Sequence, residues 1–191
     1  MKKHLLFIPL FIITTCLPAM AQDDIALQTA EGSMMTQNYA SAENNFTKYI
    51  SSISGKLPAY LQQVAVYDTS SAFQRNFKFP NFSYERKWAQ AYCERGMCRL
   101  DLGKKDSAFN DFTASVKIDP TYAEAYYQSA ALLKEKGEKI KSCIYTAKAI
   151  GLNDTMKRAK ELSNLNFCWM CAAEDFKAGK IHVELKEYKE A

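Results

Sequence analysis

The chain has 191 residues, 48% of them hydrophobic and 24% charged, which suits one globular domain with a buried core and argues against disordered, collagen-like or coiled-coil classes. Its formal charge of +4 includes Lys2 and Lys3; without residues 1–21, 23 basic side chains face 21 acidic ones. That balance, with no stripe of Lys and Arg among aromatics, argues against a nucleic-acid interface.

Residues 1–21, MKKHLLFIPLFIITTCLPAMA, have a basic start, an apolar run from Leu5 to about Pro18, and Ala19-Met20-Ala21. This order predicts a secretory signal peptide cleaved after Ala21. The run is short of the ~20 apolar residues of a spanning helix, so no transmembrane segment is expected after cleavage. Ile13-Thr14-Thr15-Cys16 is similar to the lipobox of bacterial lipoproteins, with Thr15 where that motif has Gly, Ala or Ser. A lipid anchor through Cys16, on the outer membrane, is therefore the minority alternative. The leader suits a Gram-negative bacterium with its product in the periplasm or outside the cell.

From Asp23 to about Ser52 the apolar spacing is helical, with a break at Gln37-Asn38, so residues 22–56 are expected to hold a degenerate helical hairpin. A helix restarts at Pro58, and residues 57 to about 76 fit no copy of the repeat. Phe77-Lys78-Phe79-Pro80-Asn81-Phe82-Ser83-Tyr84 is then an aromatic loop, because Pro80 and Asn81 break the period. Its rings either form an exposed binding patch or close one end of the core. Residues 57–88 thus read as an inserted helix and loop.

The stretch from Ala89 to Asp154 is one unit written twice. Tyr92 and Tyr126, Gly103 and Gly137, Ala108 and Ser142, Ser115 and Ala149, and Ile118 and Leu152 are each 34 residues apart. A helical pattern on both sides of a glycine at that period predicts an all-α fold, an antiparallel helix-turn-helix solenoid. The expected helices run from about Tyr84 to Leu102, Asp106 to Ile118, Tyr122 to Lys136 and Lys139 to Ile150. Asp119-Pro120 ends the second of these. Gly96 and Ala130, with Ala108 and Ser142, are small where paired helices cross. Residues 155–171 read as an inserted helix, and 172–191 as a partial repeat that is either a cap or a truncated unit, with a short strand as an alternative at Ile181 to Leu185.

Tyr92-x-x-Arg95-Gly96, Leu102-Gly103, Ala108, Asp111-Phe112, Ser115, Ile118-Asp119-Pro120 and Tyr122-Ala123-Glu124-Ala125-Tyr126 together resemble the tetratricopeptide repeat, as found in exported bacterial proteins that contain it. Arg99 stands where the repeat is usually aromatic, and Thr146 and Asp154 replace an aromatic and a proline in the second copy. The resemblance implies a superhelix whose concave groove, lined by first helices, binds a peptide or partner helix. The groove residues would be Gln90, Cys93, Glu94, Met97, Asp101, Glu124, Tyr127, Gln128, Ala131 and Glu135. Chaperone-binding members hold a C-terminal carboxylate with Lys, Asn and Arg, whereas Cys93 and Met97 occupy two of those places here. A mixed acidic and apolar groove favours a neutral or basic partner segment.

Little else carries chemistry. His182 is the only histidine outside the leader, no phosphate loop occurs, and no metal site or cofactor is expected. Cys168-Trp169-Met170-Cys171 has the spacing of thiol oxidoreductases but lacks their βαβ context. It reads as a catalytic pair, a structural bridge or buried thiols, or a metal ligand set. Cys93 and Cys98 are five residues apart on one helix and cannot pair there. A bridge from Cys143 to the Cys168–Cys171 helix is geometrically feasible. Two expectations follow: a non-catalytic protein-interaction module of the bacterial envelope, with an unidentified protein partner, or a thiol-disulfide redox protein using Cys168 and Cys171; Cys143, Cys168 and Cys171 are the candidate redox or disulfide residues.

Overall fold

The computed structural model describes residues 19–153 as eight helices: α1 (Ala19–Met35), α2 (Tyr39–Ile53), α3 (Leu57–Thr69), α4 (Ala72–Lys78), α5 (Arg86–Asp101), α6 (Lys105–Ile118), α7 (Ala123–Glu135) and α8 (Lys139–Leu152). No strand occurs among the described residues. Residues 1–18 with Cys16, Asp154, and residues 155–191 with His182 and Cys168-Trp169-Met170-Cys171 lie outside them. The expected cleavage point after Ala21 falls within α1.

Successive helices pack as antiparallel neighbours, α1 on α2, α2 on α5, α5 on α6, α6 on α7 and α7 on α8. The first helices α5 and α7 are therefore each sandwiched between two second helices. One apolar cluster joins α1, α2 and α5 through Leu27, Ala30, Phe46, Ile50 and Cys98. Another joins α5, α6 and α7 through Cys93, Ala108, Phe112, Ala125 and Leu132.

The turns within the hairpins have one local cause. Gly103 and Gly137 adopt φ of 75° and 79°. The amide of Lys104 then reaches the Arg99 carbonyl at 2.7 Å and that of Gly103 the Leu100 carbonyl at 2.9 Å, with the same pair at Glu138 to Leu133 and Gly137 to Lys134. This double bond pattern satisfies the last carbonyls of a helix and needs a left-handed residue. The first hairpin makes it with Gln37 at φ 59°, where Asn38 bonds to Ser33 and Gln37 to Met34. A glutamine there bears strain of roughly 1–2 kcal/mol that glycine would not.

Gly96 is required by a close approach. A Cβ there would lie 2.6 Å from Cε1 of Phe112, which is fully buried. One period on, Ala130 carries the Cβ and faces α8, where the counterpart of Phe112 is the smaller Thr146, also fully buried. The two copies thus exchange volume across the same crossing. Buried hydroxyls lock the crossings further: Ser115 Oγ donates to the Ala89 carbonyl at 2.7 Å and Ser142 Oγ to that of Ala130 at 2.8 Å.

Between the first and second hairpins, the one inserted helix expected before the aromatic loop is two, α3 and α4. Ser70 and Ser71 are extended, and Ser71 caps α4 by accepting from the Gln74 amide at 3.3 Å. A serine side chain that bonds the backbone of a new first turn competes with continuation of the old helix. Tyr60 ties this insertion to the solenoid, because its hydroxyl donates to the Ile118 carbonyl at 2.7 Å and accepts from the Glu85 amide at 2.8 Å. The aromatic loop divides. Phe79, Phe82 and Tyr84 pack around Tyr67, and Phe82 also stacks on Tyr60, while Phe77 is 84% exposed.

Gly96→Ala is expected to lower the urea unfolding free energy by about 1–3 kcal/mol through overpacking, with part of the loss recovered when Phe112→Leu is added. Gln37→Gly is expected to raise the urea midpoint, by a net gain of less than about 1 kcal/mol once the chain entropy of glycine is deducted.

Candidate functional site

The face of the first helices α1, α5 and α7 carries a polar stripe in two linked groups. Gln90 Nε2 of α5 donates to Glu31 Oε1 of α1 at 3.2 Å and to Glu94 Oε1, one turn along α5, at 2.8 Å. On α7, Gln128 Nε2 donates to Glu124 Oε1 at 2.8 Å and contacts Met97 Sδ of α5 at 3.6 Å. The spacing is the helical i, i+4 step, at which neighbouring side chains meet on one face. Each glutamine thus uses its amide to hold a carboxylate and to reach the adjacent helix.

Glu94 is the least settled group on this face. Its Oε2 is buried and makes no hydrogen bond. Burial raises its pKa above the ordinary carboxylate value, the Gln90 bond opposes that, and the nearby Glu31 adds to it. An acceptor withdrawn from water without a donor is costly, and the cost falls when a donor or cation arrives.

Of the ten residues expected in the groove, Gln90, Glu94, Met97, Glu124, Tyr127, Gln128 and Ala131 are half-buried. Asp101 is exposed beyond them, at the end of α5. Glu135 is exposed and engaged by Lys105 Nζ at 2.6 Å, so it joins the α6 and α7 ends. Cys93 must be corrected: it is fully buried in the α5–α6–α7 cluster and cannot touch a ligand. Its small side chain stops short of solvent at the position where Tyr127, one period later, reaches it. Glu31 is a stripe residue that the spacing analysis missed, because the α1 copy is too degenerate for its register to be read from the repeat.

Among the described residues the two free thiols are poorly suited to act as nucleophiles. Burial pushes the Cys93 thiol well up, with Glu124 and Glu94 adding to the effect, and raises Cys98 to about 11. Both are free and stay protonated at neutral pH. Cys143 is disulfide-bonded. Among the described residues no group of three or more His, Cys, Asp or Glu side chains could hold a metal ion. No described helix is long and apolar enough to cross a membrane.

Comparison with known proteins agrees with this geometry. The family model for the tetratricopeptide repeat matches residues 89–122. A 74-residue stretch is 32% identical to the tetratricopeptide repeat and J domain-containing co-chaperone DNJ1 of Cryptococcus neoformans var. grubii, covering 39% of this chain and 14% of that protein. The chain therefore spans only a small part of that relative's length. Among solved structures, the TPR domain of Arabidopsis OM64 superposes with a TM-score of 0.55 at 17% identity, over 77% of this chain and 95% of that one. The TPR2B domain of yeast Sti1, in its pHsp70 complex, gives 0.50 at 13% identity over 78% and 95%. The described part of the chain is an all-α helical-repeat solenoid of the tetratricopeptide type, with a matching repeat at residues 89–122.

Proposed function

We propose that this protein is a non-catalytic interaction module that holds an extended, neutral-to-basic peptide segment or partner helix across α1, α5 and α7. The observation that carries the reading is the stripe Glu31–Gln90–Glu94 and Met97–Gln128–Glu124, with a buried acceptor at Glu94 Oε2 that a partner's Lys, Arg or backbone N–H would satisfy. The TPR2B domain of Sti1 is a neighbour in fold whose structure is a complex, which supports binding by this architecture. The leader at residues 1–21 supports action after export, in the periplasm or outside a bacterial cell. The thiol-disulfide alternative rests on Cys168 and Cys171, which lie outside the described residues.

Fluorescence anisotropy with a library of extended peptides of graded charge tests the reading. Peptides bearing Lys or Arg are expected to bind more tightly than acidic ones, with affinity falling as salt rises. Met97→Ala and Tyr127→Ala should each weaken the best peptide by tenfold or more. Equal binding of acidic and basic peptides, or indifference to both substitutions, would count against the groove.

Glu94 also yields a pH prediction. Its folded-state pKa lies above its unfolded value, so the folded chain binds more protons in that window and stability falls as pH rises through it. Glu94→Gln is therefore expected to raise the melting temperature at pH 7, with the gain shrinking as pH falls below the ordinary glutamate pKa, while weakening basic peptides. Thermal unfolding across pH checks the first part and anisotropy the second.

A further inference from the structure

We infer that α4 is a membrane-contact element, its two exposed phenylalanines entering the interface of an anionic lipid bilayer. α4 buries none of its residues, and it is not among the helices whose packing builds the solenoid. Yet it carries Phe73 at 81% exposure and Phe77 at 84%. A single exposed ring is ordinary, whereas two large rings together on a helix with no packed face point to a surface that covers them.

The geometry turns both rings outward together. Phe73 and Phe77 stand at i and i+4, so they share one face. Arg75, about 200° round the helix from Phe73, is the residue turned to the fold. Its Nη1 donates to the Ser70 carbonyl at 2.5 Å, and its guanidinium lies 5.6 Å from the centre of the Tyr67 ring. Neither Phe73 nor Phe77 lines the cleft beside them at Tyr60, Phe79 and Phe82. Rings that project, with no recess of their own to receive a knob, suit insertion into a fluid medium.

Charge decides the occupant. Between Asp68 and Glu85 the chain has no acidic residue, and it carries Arg75 and the exposed Lys78. The Asp68 carboxylate at one edge is engaged by the Tyr84 hydroxyl at 2.7 Å. Apolar rings beside cations, among the hydroxyls and amides of Ser70, Ser71, Gln74 and Asn76, suit the boundary between lipid headgroups and acyl chains. A symmetric second copy would set Arg75 and Lys78 against their own equivalents, whereas anionic lipid meets them with opposite charge. Seven residues make a marginal helix in water, so α4 gains order when its rings are covered. The patch belongs to the α3–α4 insertion and not to α1, α5 and α7, so it does not depend on the peptide-binding reading.

Hydrogen–deuterium exchange of the full chain on vesicles tests this at α4 itself, so contacts made elsewhere, including by residues 1–21, do not enter the reading. On vesicles of phosphatidylcholine mixed with phosphatidylglycerol, the α4 amides are expected to exchange about tenfold more slowly than without lipid, with little change on pure phosphatidylcholine. Phe73→Ser combined with Phe77→Ser should abolish the protection, and Lys78→Glu should weaken it about fivefold. The melting temperature without lipid should stay unchanged in these variants, because neither ring packs in the core. No slowing at α4, equal slowing on both vesicle types, protection that grows with protein concentration in the absence of lipid, or protection retained without the two rings would each overturn the inference. The comparison of the two vesicle types on the unaltered chain decides the matter even if a variant fails to fold.

Discussion

The buried carboxylate of Asp111 on α6 holds three helices in register. Arg95 of α5 meets it through Nε at 3.0 Å and Nη2 at 2.7 Å, and Arg99 through Nη1 at 2.8 Å. Arg99 also reaches Glu43 of α2 at 3.0 Å, and Lys104 completes the chain to Glu43 at 2.6 Å. The Lys104 bond leads the effects that lower the Glu43 pKa and keep it charged. Two-pronged contact with guanidinium is directional, so it constrains rotation as well as distance. With Arg95 turned inward on α5, Gln90, Glu94 and Met97 are left on the side that faces α1 and α7. Losing Asp111 would leave the buried Arg95 guanidinium without its carboxylate, at a cost of about 3–5 kcal/mol.

Beyond that network, cohesion is local. The first helix α5 shares one apolar cluster with the hairpin before it and another with α6 and α7 after it. The α3–α4 insertion adds a lateral tie through Tyr60, whose hydroxyl joins the end of α6 to the start of α5. Glu94 runs against this economy, since a buried acceptor without a donor lowers stability where the proposed ligand would lie. Stored cost at a recognition face, offset by packing elsewhere, is a common pattern at functional sites.

The hairpins of α5 to α8 were legible to within about two residues because their signals are local: Gly103 and Gly137 at the left-handed positions, Pro120 after α6, and the 34-residue spacing. The role of Arg99 was not, since its place reads as a missing aromatic until Glu43 is brought up from a helix 56 residues earlier. Cys93 shows the same limit. Its angular position is shared with Tyr127, and only side-chain length and the neighbours Tyr122 and Ala125 decide which of the two reaches solvent. The Ser70-Ser71 break was hidden because the apolar spacing on either side suits one helix, while the competing serine cap is a matter of a single hydrogen bond. On the candidate face, α5 and α7 could be read from their repeats, but Glu31 could not be joined to them without the packing of α1.

Cys93 and Cys98 lie on one helix yet face different interiors, the first among α5, α6 and α7 and the second among α1, α2 and α5. One helix therefore carries two thiols that report on different interiors, with no probe added to the chain.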